Sequence, residues 1–321
     1  MSRKTHRESK KTSTLTWFQL RTFLLFSFFS LFFLFYPGNS YYLHFFSYHR
    51  DLFASESTEQ TIYEVGKIPY IINTTIKPEI SAQGAYIVDL SSATPVFEKN
   101  IENKFLPASV TKVITALTAF DAFQLEDVLE VKRVINIGQT ADLIIGEKMT
   151  FENLLYAVLI HSGNDAAYVI ADNYPGGYDV FIDAMNKKTL NLQMKNSHFE
   201  NPAGLDSFKQ YSTPFDLSLA GRALLQNKTL SKIVSTKSIT VSDVDFRYFH
   251  PLYNINRLLG EIPGVGGLKT GKTEEAGENL ITFYKHNGFE YLIVLMKSED
   301  RFTDTENIVG WINSNIGYTQ P

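Results

Sequence analysis

Hydrophobic residues are spread very unevenly along the 321-residue chain. Residues 17–36 read WFQLRTFLLFSFFSLFFLFY; from Thr22 onward the run is uncharged, and Pro37-Gly38 ends it. Twenty helical residues rise about 30 Å, the thickness of a bilayer core. The run therefore predicts a membrane-spanning signal anchor, with Arg21 snorkelling to the headgroups. A cleaved signal peptide, with Gly38 and Ser40 before the cut, is the alternative. The long basic region and the lack of an Ala-x-Ala site favour the anchor. Residues 37–80 have weak periodicity and read as a juxtamembrane linker with aromatics such as Tyr41 and Phe45 at the interface.

Beyond that point the pattern becomes that of a globular domain, over residues 81–317. GAYIVDL at 84–90 predicts a strand, SSAT a turn, and 95–99 the return strand. Residues 109–123 are apolar on most sides, which predicts a buried helix. Thr150 is placed to cap a helix over 151–160. Further helices are expected over 165–173, 178–189 and 214–225, and an amphipathic one over 303–316. Residues 279–286 and 289–297 predict strands joined by Asn287-Gly288, a strong hairpin signal. Strands at both ends with helices between them imply an α/β (α+β) fold: one sheet built from distant segments, with a helical insert.

Charge sharpens this division. The net charge of −4 is the sum of two unlike parts. Residues 1–21 hold six basic and one acidic side chain, a net of +5; the other 300 hold 24 basic and 33 acidic, a net of −9. The positive-inside rule then puts residues 1–16 in the cytoplasm and the acidic remainder outside, as a single-pass membrane protein. That acidic remainder argues against nucleic acid as a partner. The absence of cysteine excludes thiol nucleophiles, disulfides and thiolate metal sites. The seven histidines are scattered with no pair at metal spacing, and there is no phosphate loop, so neither metal nor cofactor is expected.

Three short motifs carry candidate chemistry. In Pro107-Ala108-Ser109-Val110-Thr111-Lys112, Ser109 and Lys112 share a helix face, so the amine can reach the hydroxyl. The lysine must be neutral to act as its base, and the apolar stretch after it supplies burial that lowers its pKa. In His161-Ser162-Gly163-Asn164, Ser162 could relay a proton while Asn164 holds the lysine and a substrate carbonyl. In Lys269-Thr270-Gly271-Lys272, Lys269 raises the local potential, Thr270 offers a hydroxyl, and Gly271 lets a substrate backbone approach. Each motif alone also fits an ordinary cap, corner or strand end. Together, in this order, they form the Ser-x-x-Lys, Ser-x-Asn, Lys-Thr-Gly set of the penicillin-recognising serine enzymes.

The chain resembles the low-molecular-mass D-alanyl-D-alanine carboxypeptidases of peptidase family S11 over about residues 80–315. The likeness extends through LPASVTKVITALTA, MTFENLLYAVLIHSGNDAA, HFENPAGLD, YSTPFDLSLAGRAL and GGLKTGKTEEAGENL. It implies a β-lactamase/D,D-peptidase-like fold, with an antiparallel sheet flanked by helices. Ser109 would be the acylated nucleophile and Lys112 its base. Ser162 and Asn164 would line the cleft, and Lys269 would complete the proton network. Thr270 and Arg301 would hold the substrate's terminal carboxylate, with the backbone N–H groups of Ser109 and Lys272 as the oxyanion hole. The implied partners are peptidoglycan stem peptides ending in D-Ala-D-Ala, with β-lactams as covalent inhibitors. Lys272 stands where relatives often have His or Tyr. The chain stops directly after the closing helix, so neither the relatives' β-rich second domain nor their C-terminal anchor is expected; the N-terminal anchor would serve instead.

The expected activity is serine D-Ala-D-Ala carboxypeptidase. Three alternatives stand beside it: a D,D-endopeptidase or transpeptidase using the same residues, a class A β-lactamase, and a non-catalytic penicillin-binding sensor. The β-lactamase needs a water-activating glutamate, and no Glu-x-x-Leu-Asn lies between the second and third motifs.

Overall fold

The computed structural model describes residues 13–35, with side chains from 17 to 31, and residues 67–319. The chain divides into two compact units, Met1–Tyr63 and Glu64–Pro321. In the first, helix α1 spans Ser13–Phe35, and the Arg21 guanidinium lies 4.6 Å from the centre of the Trp17 ring.

Among the described residues, no helix is long and apolar enough to cross a membrane. The expected transmembrane anchor over 17–36 is corrected on that finding, as are the single-pass topology and the membrane partner that followed from it. The physical reason visible in the described residues is polarity. Within the helix, Gln19, Arg21 and Thr22 interrupt the apolar run. The basic segment up to residue 12, the linker over 36–66 and the cleavage alternative at Gly38 and Ser40 lie outside the described residues.

The second unit is built on a five-stranded sheet of order β3-β2-β10-β9-β8, with every neighbouring pair antiparallel. Its strands are β2 (Gly84–Asp89), β3 (Pro95–Lys99), β8 (Val265–Thr273), β9 (Gly277–His286) and β10 (Phe289–Ser298). Both faces are covered, so strand residues of either parity are apolar. Tyr86 and Val88 of β2, with Leu292 and Val294 of β10, enter one core, shared with the helices of the insert. Ala85, Ile87, Ile293 and Leu295 enter the other, beneath α8 (Arg301–Asn315). The β9–β10 turn falls at Asn287-Gly288, whose φ values of 50° and 85° are those a two-residue hairpin needs.

Between β3 and β8 lie α2 (Lys112–Phe120), α3 (Phe151–Leu159), α4 (Asn164–Asn173), α5 (Tyr178–Asn191), α6 (Pro214–Gln226) and α7 (Lys228–Val234). The Thr150 hydroxyl accepts from Asn153 N–H at the start of α3, and Thr213 does the same for α6 ahead of Pro214. Three two-stranded pairs were not apparent in the sequence: β4 (Val128–Glu130) with β5 (Lys148–Thr150), β6 (Ser238–Ser242) with β7 (Phe249–Tyr253), and β1 (Pro69–Ile71) with β11 (Ile316–Tyr318). The last pair ties part of the span read as linker to the end of α8.

Candidate active site

The helix expected over 109–123 starts differently from its sequence reading. Ala108–Thr111 form a 3-10 turn before α2, and Ala108 holds a positive φ of 48°. This places Ser109 facing a cleft while Lys112, one turn on, is fully buried. The Lys112 Nζ lies 2.8 Å from Ser109 Oγ, 2.7 Å from Asn164 Oδ1 and 2.7 Å from the Ala203 carbonyl. A neutral amine has two N–H donors and one lone pair. The two carbonyl oxygens take the donors, which leaves the lone pair facing the Ser109 hydroxyl. Burial lowers the Lys112 pKa to about 7, against a smaller opposing pull from Asp165.

The Ala203 carbonyl had no role in the sequence reading, although HFENPAGLD was noted as a family segment. Asn201 Oδ1 accepts from the N–H groups of Gly204 and Leu205, closing a side-chain turn. Pro202 O accepts from the hydroxyl of Thr115, one turn beyond Lys112 on the same face. A Cβ on Gly204, whose φ is +83°, would lie 1.9 Å from Ala108 O, so only glycine lets this loop rest on the nucleophile turn.

The second motif forms the corner between α3 and α4. Ser162 has φ 64° and is buried, and its Oγ accepts from Lys269 Nζ at 2.8 Å. Asn164 opens α4 and donates through Nδ2 to Ile137 O. The neighbouring Asp165, also without a role in the sequence reading, accepts from the backbone N–H groups of Ala141, Leu143 and Ala166. It thereby fixes the 137–143 segment against Asn164. An acid at a helix start directly after a motif was the available signal.

The third motif lies on β8, the edge of the sheet. Lys269 is buried and donates to Ser162 Oγ and to Thr270 O. Burial, with Lys112 and Arg301 adding repulsion, holds its pKa well below the usual lysine range. The two sites therefore share a plan: each serine has a buried lysine behind it. Gly271 passes the nucleophile turn so closely that a Cβ there would lie 2.9 Å from both Ser109 N and Val110 N. Asn279 of β9 helps set this spacing by donating to Leu106 O and accepting from Lys297 N–H. The Thr270 hydroxyl is buried with no hydrogen-bond partner in the structure.

Arg301 is the first residue of α8. Asp300 caps that helix by accepting from the N–H groups of Phe302 and Thr303, and this points Arg301 at β8. Its Nη1 donates to Gly271 O at 2.9 Å. Ser109, Ser162, Asn164, Thr270, Lys272 and Arg301 all line one cleft of about 220 Å³, so every side chain singled out in the sequence converges there or directly behind it. Among the described residues, no group of three or more His, Asp or Glu side chains could hold a metal ion.

The sequence and fold match known proteins. Residues 71–300 match the family model of D-alanyl-D-alanine carboxypeptidases, peptidase family S11, and the chain belongs to that family. It is 32% identical over 203 residues to the D-alanyl-D-alanine carboxypeptidase DacF of Bacillus subtilis (strain 168), covering 61% of this chain and 52% of that protein. It is 29% identical over 252 residues to the D-alanyl-D-alanine endopeptidase of Escherichia coli (strain K12), covering 75% and 80%. The crystal structure of the Streptomyces K15 DD-transpeptidase superposes with a TM-score of 0.69 at 29% identity, over 74% of this chain and 98% of that one. The match thus spans about half of DacF but nearly all of the Streptomyces enzyme. The family and these relatives support a serine hydrolase with D-Ala-D-Ala carboxypeptidase- or endopeptidase-like activity.

Proposed function

We propose that this protein is a serine D-alanyl-D-alanine carboxypeptidase that removes the terminal D-alanine from peptidoglycan stem peptides, with residues 81–317 as its catalytic domain. The observation that carries the reading is the buried Lys112 amine, with a pKa near 7, at 2.8 Å from Ser109 Oγ.

In this reading Lys112 Nζ takes the Ser109 proton as Oγ attacks the carbonyl carbon of the penultimate D-alanine. The N–H groups of Ser109 and Lys272 receive the oxyanion. The C–N bond breaks, and the leaving amine takes a proton from the Lys112 and Ser162–Lys269 network. Water then attacks the acyl-enzyme. Its proton passes to the same network, Ser109 Oγ recovers its hydrogen, and the shortened peptide leaves. Thr270 and Arg301 hold the terminal carboxylate: one offers a buried unpartnered hydroxyl, the other a guanidinium lining the cleft. Asn164 holds Lys112 and faces the substrate amide. A β-lactam would acylate Ser109 by the same attack on its strained amide.

Release of D-alanine from a peptide ending in D-Ala-D-Ala tests this directly. The wild type should release it and Ser109→Ala should not; release by the variant would sink the assignment. A second reading, cleavage or formation of cross-links, is favoured by the extended match to the E. coli endopeptidase and by the Streptomyces DD-transpeptidase structure. Product analysis on cross-linked muropeptides separates the two.

A further inference from the structure

Opposite Lys272, across the β8–β9 ladder, stands Glu278, a residue outside all three motifs. Its Oε1 accepts from Lys272 Nζ at 2.8 Å. Its Oε2 accepts from the Arg301 backbone N–H at 3.2 Å and lies 3.8 Å from Arg301 Nε. Arg301 is fixed at two points, Glu278 on one side and the Gly271 carbonyl on the other. Glu278 and Arg301 are largely buried, with side chains 15% and 11% exposed, whereas Lys272 is 64% exposed. Burial alone would raise the Glu278 carboxyl, but Lys272 and Arg301 hold it below the usual carboxylate range.

We propose that Glu278 is a positioning residue for the cleft's carboxylate site: it holds Arg301 in the orientation in which the cleft discriminates a free terminal carboxylate from a neutral one. This rests on the reading that Arg301 receives that carboxylate. Asp300 also carries charge near Arg301, but Glu278 is the carboxylate within 4 Å of its guanidinium, so without Glu278 the largely buried arginine loses orientation and most of its nearby charge balance. A merely electrostatic role predicts the opposite sign. A negative charge near the site repels a substrate carboxylate, so its removal would tighten binding. Positioning predicts weaker binding.

The test is the rate of acylation of the full chain by benzylpenicillin and by its methyl ester, followed by intact mass. It needs no D-alanine release, so it stands even if the carboxypeptidase reading fails. The wild type should prefer the free acid. Glu278→Ala should lose most of that preference, roughly fivefold to tenfold, as for one lost charge-assisted contact. Glu278→Gln, which keeps an acceptor, should recover part of it. Arg301→Ala should lose the preference as well, and adding Glu278→Ala to it should change nothing further. The proposal is overturned if Glu278→Ala keeps or increases the preference, if the two losses add independently, or if the wild type shows no preference for the acid.

Discussion

Gly271→Ala is the sharpest steric probe of the site. Gly271 has no unusual φ, so an added methyl is resisted by space alone. Its Cβ would lie 2.9 Å from Ser109 N, 2.9 Å from Val110 N and 3.1 Å from Pro107 O. All three neighbours are backbone atoms that cannot rotate aside. Restoring ordinary contact means moving β8 from the nucleophile turn by roughly 0.5 Å. Such overpacking costs about 1–3 kcal/mol of stability. Because the shift separates Ser109 from Lys272 and Thr270, acylation should slow by about 10-fold to 100-fold. Gly310→Ala in α8, where a Cβ meets nothing within 4 Å, is the control; it should leave acylation unchanged and stabilise by about 0.5–1 kcal/mol. Penicillin acylation by intact mass, with thermal denaturation alongside, reads both effects. If Gly271→Ala acylates within about twofold of the wild type, close packing of strand and turn does not set the geometry.

Three further outcomes are expected. Thr270→Val removes a buried hydroxyl that has no partner in the fold, so it should leave stability unchanged or raise it by up to about 1 kcal/mol while acylation by a carboxylate-bearing penicillin falls about 10-fold; a destabilised variant with normal acylation would contradict this. Asp165→Asn weakens the hold on the Ala141 and Leu143 N–H groups and should cost about 1–3 kcal/mol in urea denaturation, with slower acylation through a looser Asn164; unchanged values on both counts would remove its assigned role. Lys112 is charged in both folded and unfolded chains below its folded pKa of about 7 and neutral in both above its ordinary 10.5. In between, the unfolded chain binds the extra proton, so stability should rise with pH by up to about 1.4 kcal/mol per unit. Lys112→Met should remove that increment from the denaturation profile, and a profile parallel to the wild type would show the amine is not buried as described.

Much of this site was legible because its chemistry is local. Ser109 and Lys112 share one helical turn, Ser162 and Asn164 one corner, and Lys269 to Lys272 one strand, so their spacing alone displays them. What stayed hidden depends on distant backbone. Nothing in the sequence shows that the Ala203 carbonyl meets Lys112, that Asp165 ties down the 137–143 segment, or that Glu278 faces Arg301. Short pairings such as Pro69–Ile71 with Ile316–Tyr318 gave no signal for the same reason: three residues hold no periodicity, and their partner lies far along the chain. Residues 17–36 show the converse hazard: their hydropathy predicts a membrane span, yet no helix among the described residues is long and apolar enough to cross a membrane.

The central claim is that a neutral Lys112 activates Ser109. Its most direct test is the rate of penicillin adduct formation across pH from about 5.5 to about 9, read by intact mass and mapped to one serine. The account predicts a single adduct on Ser109, absent from Ser109→Ala, with a rate that climbs as pH passes about 7. An adduct on another serine, or a rate on Ser109 that is flat or falls through that range, would contradict it.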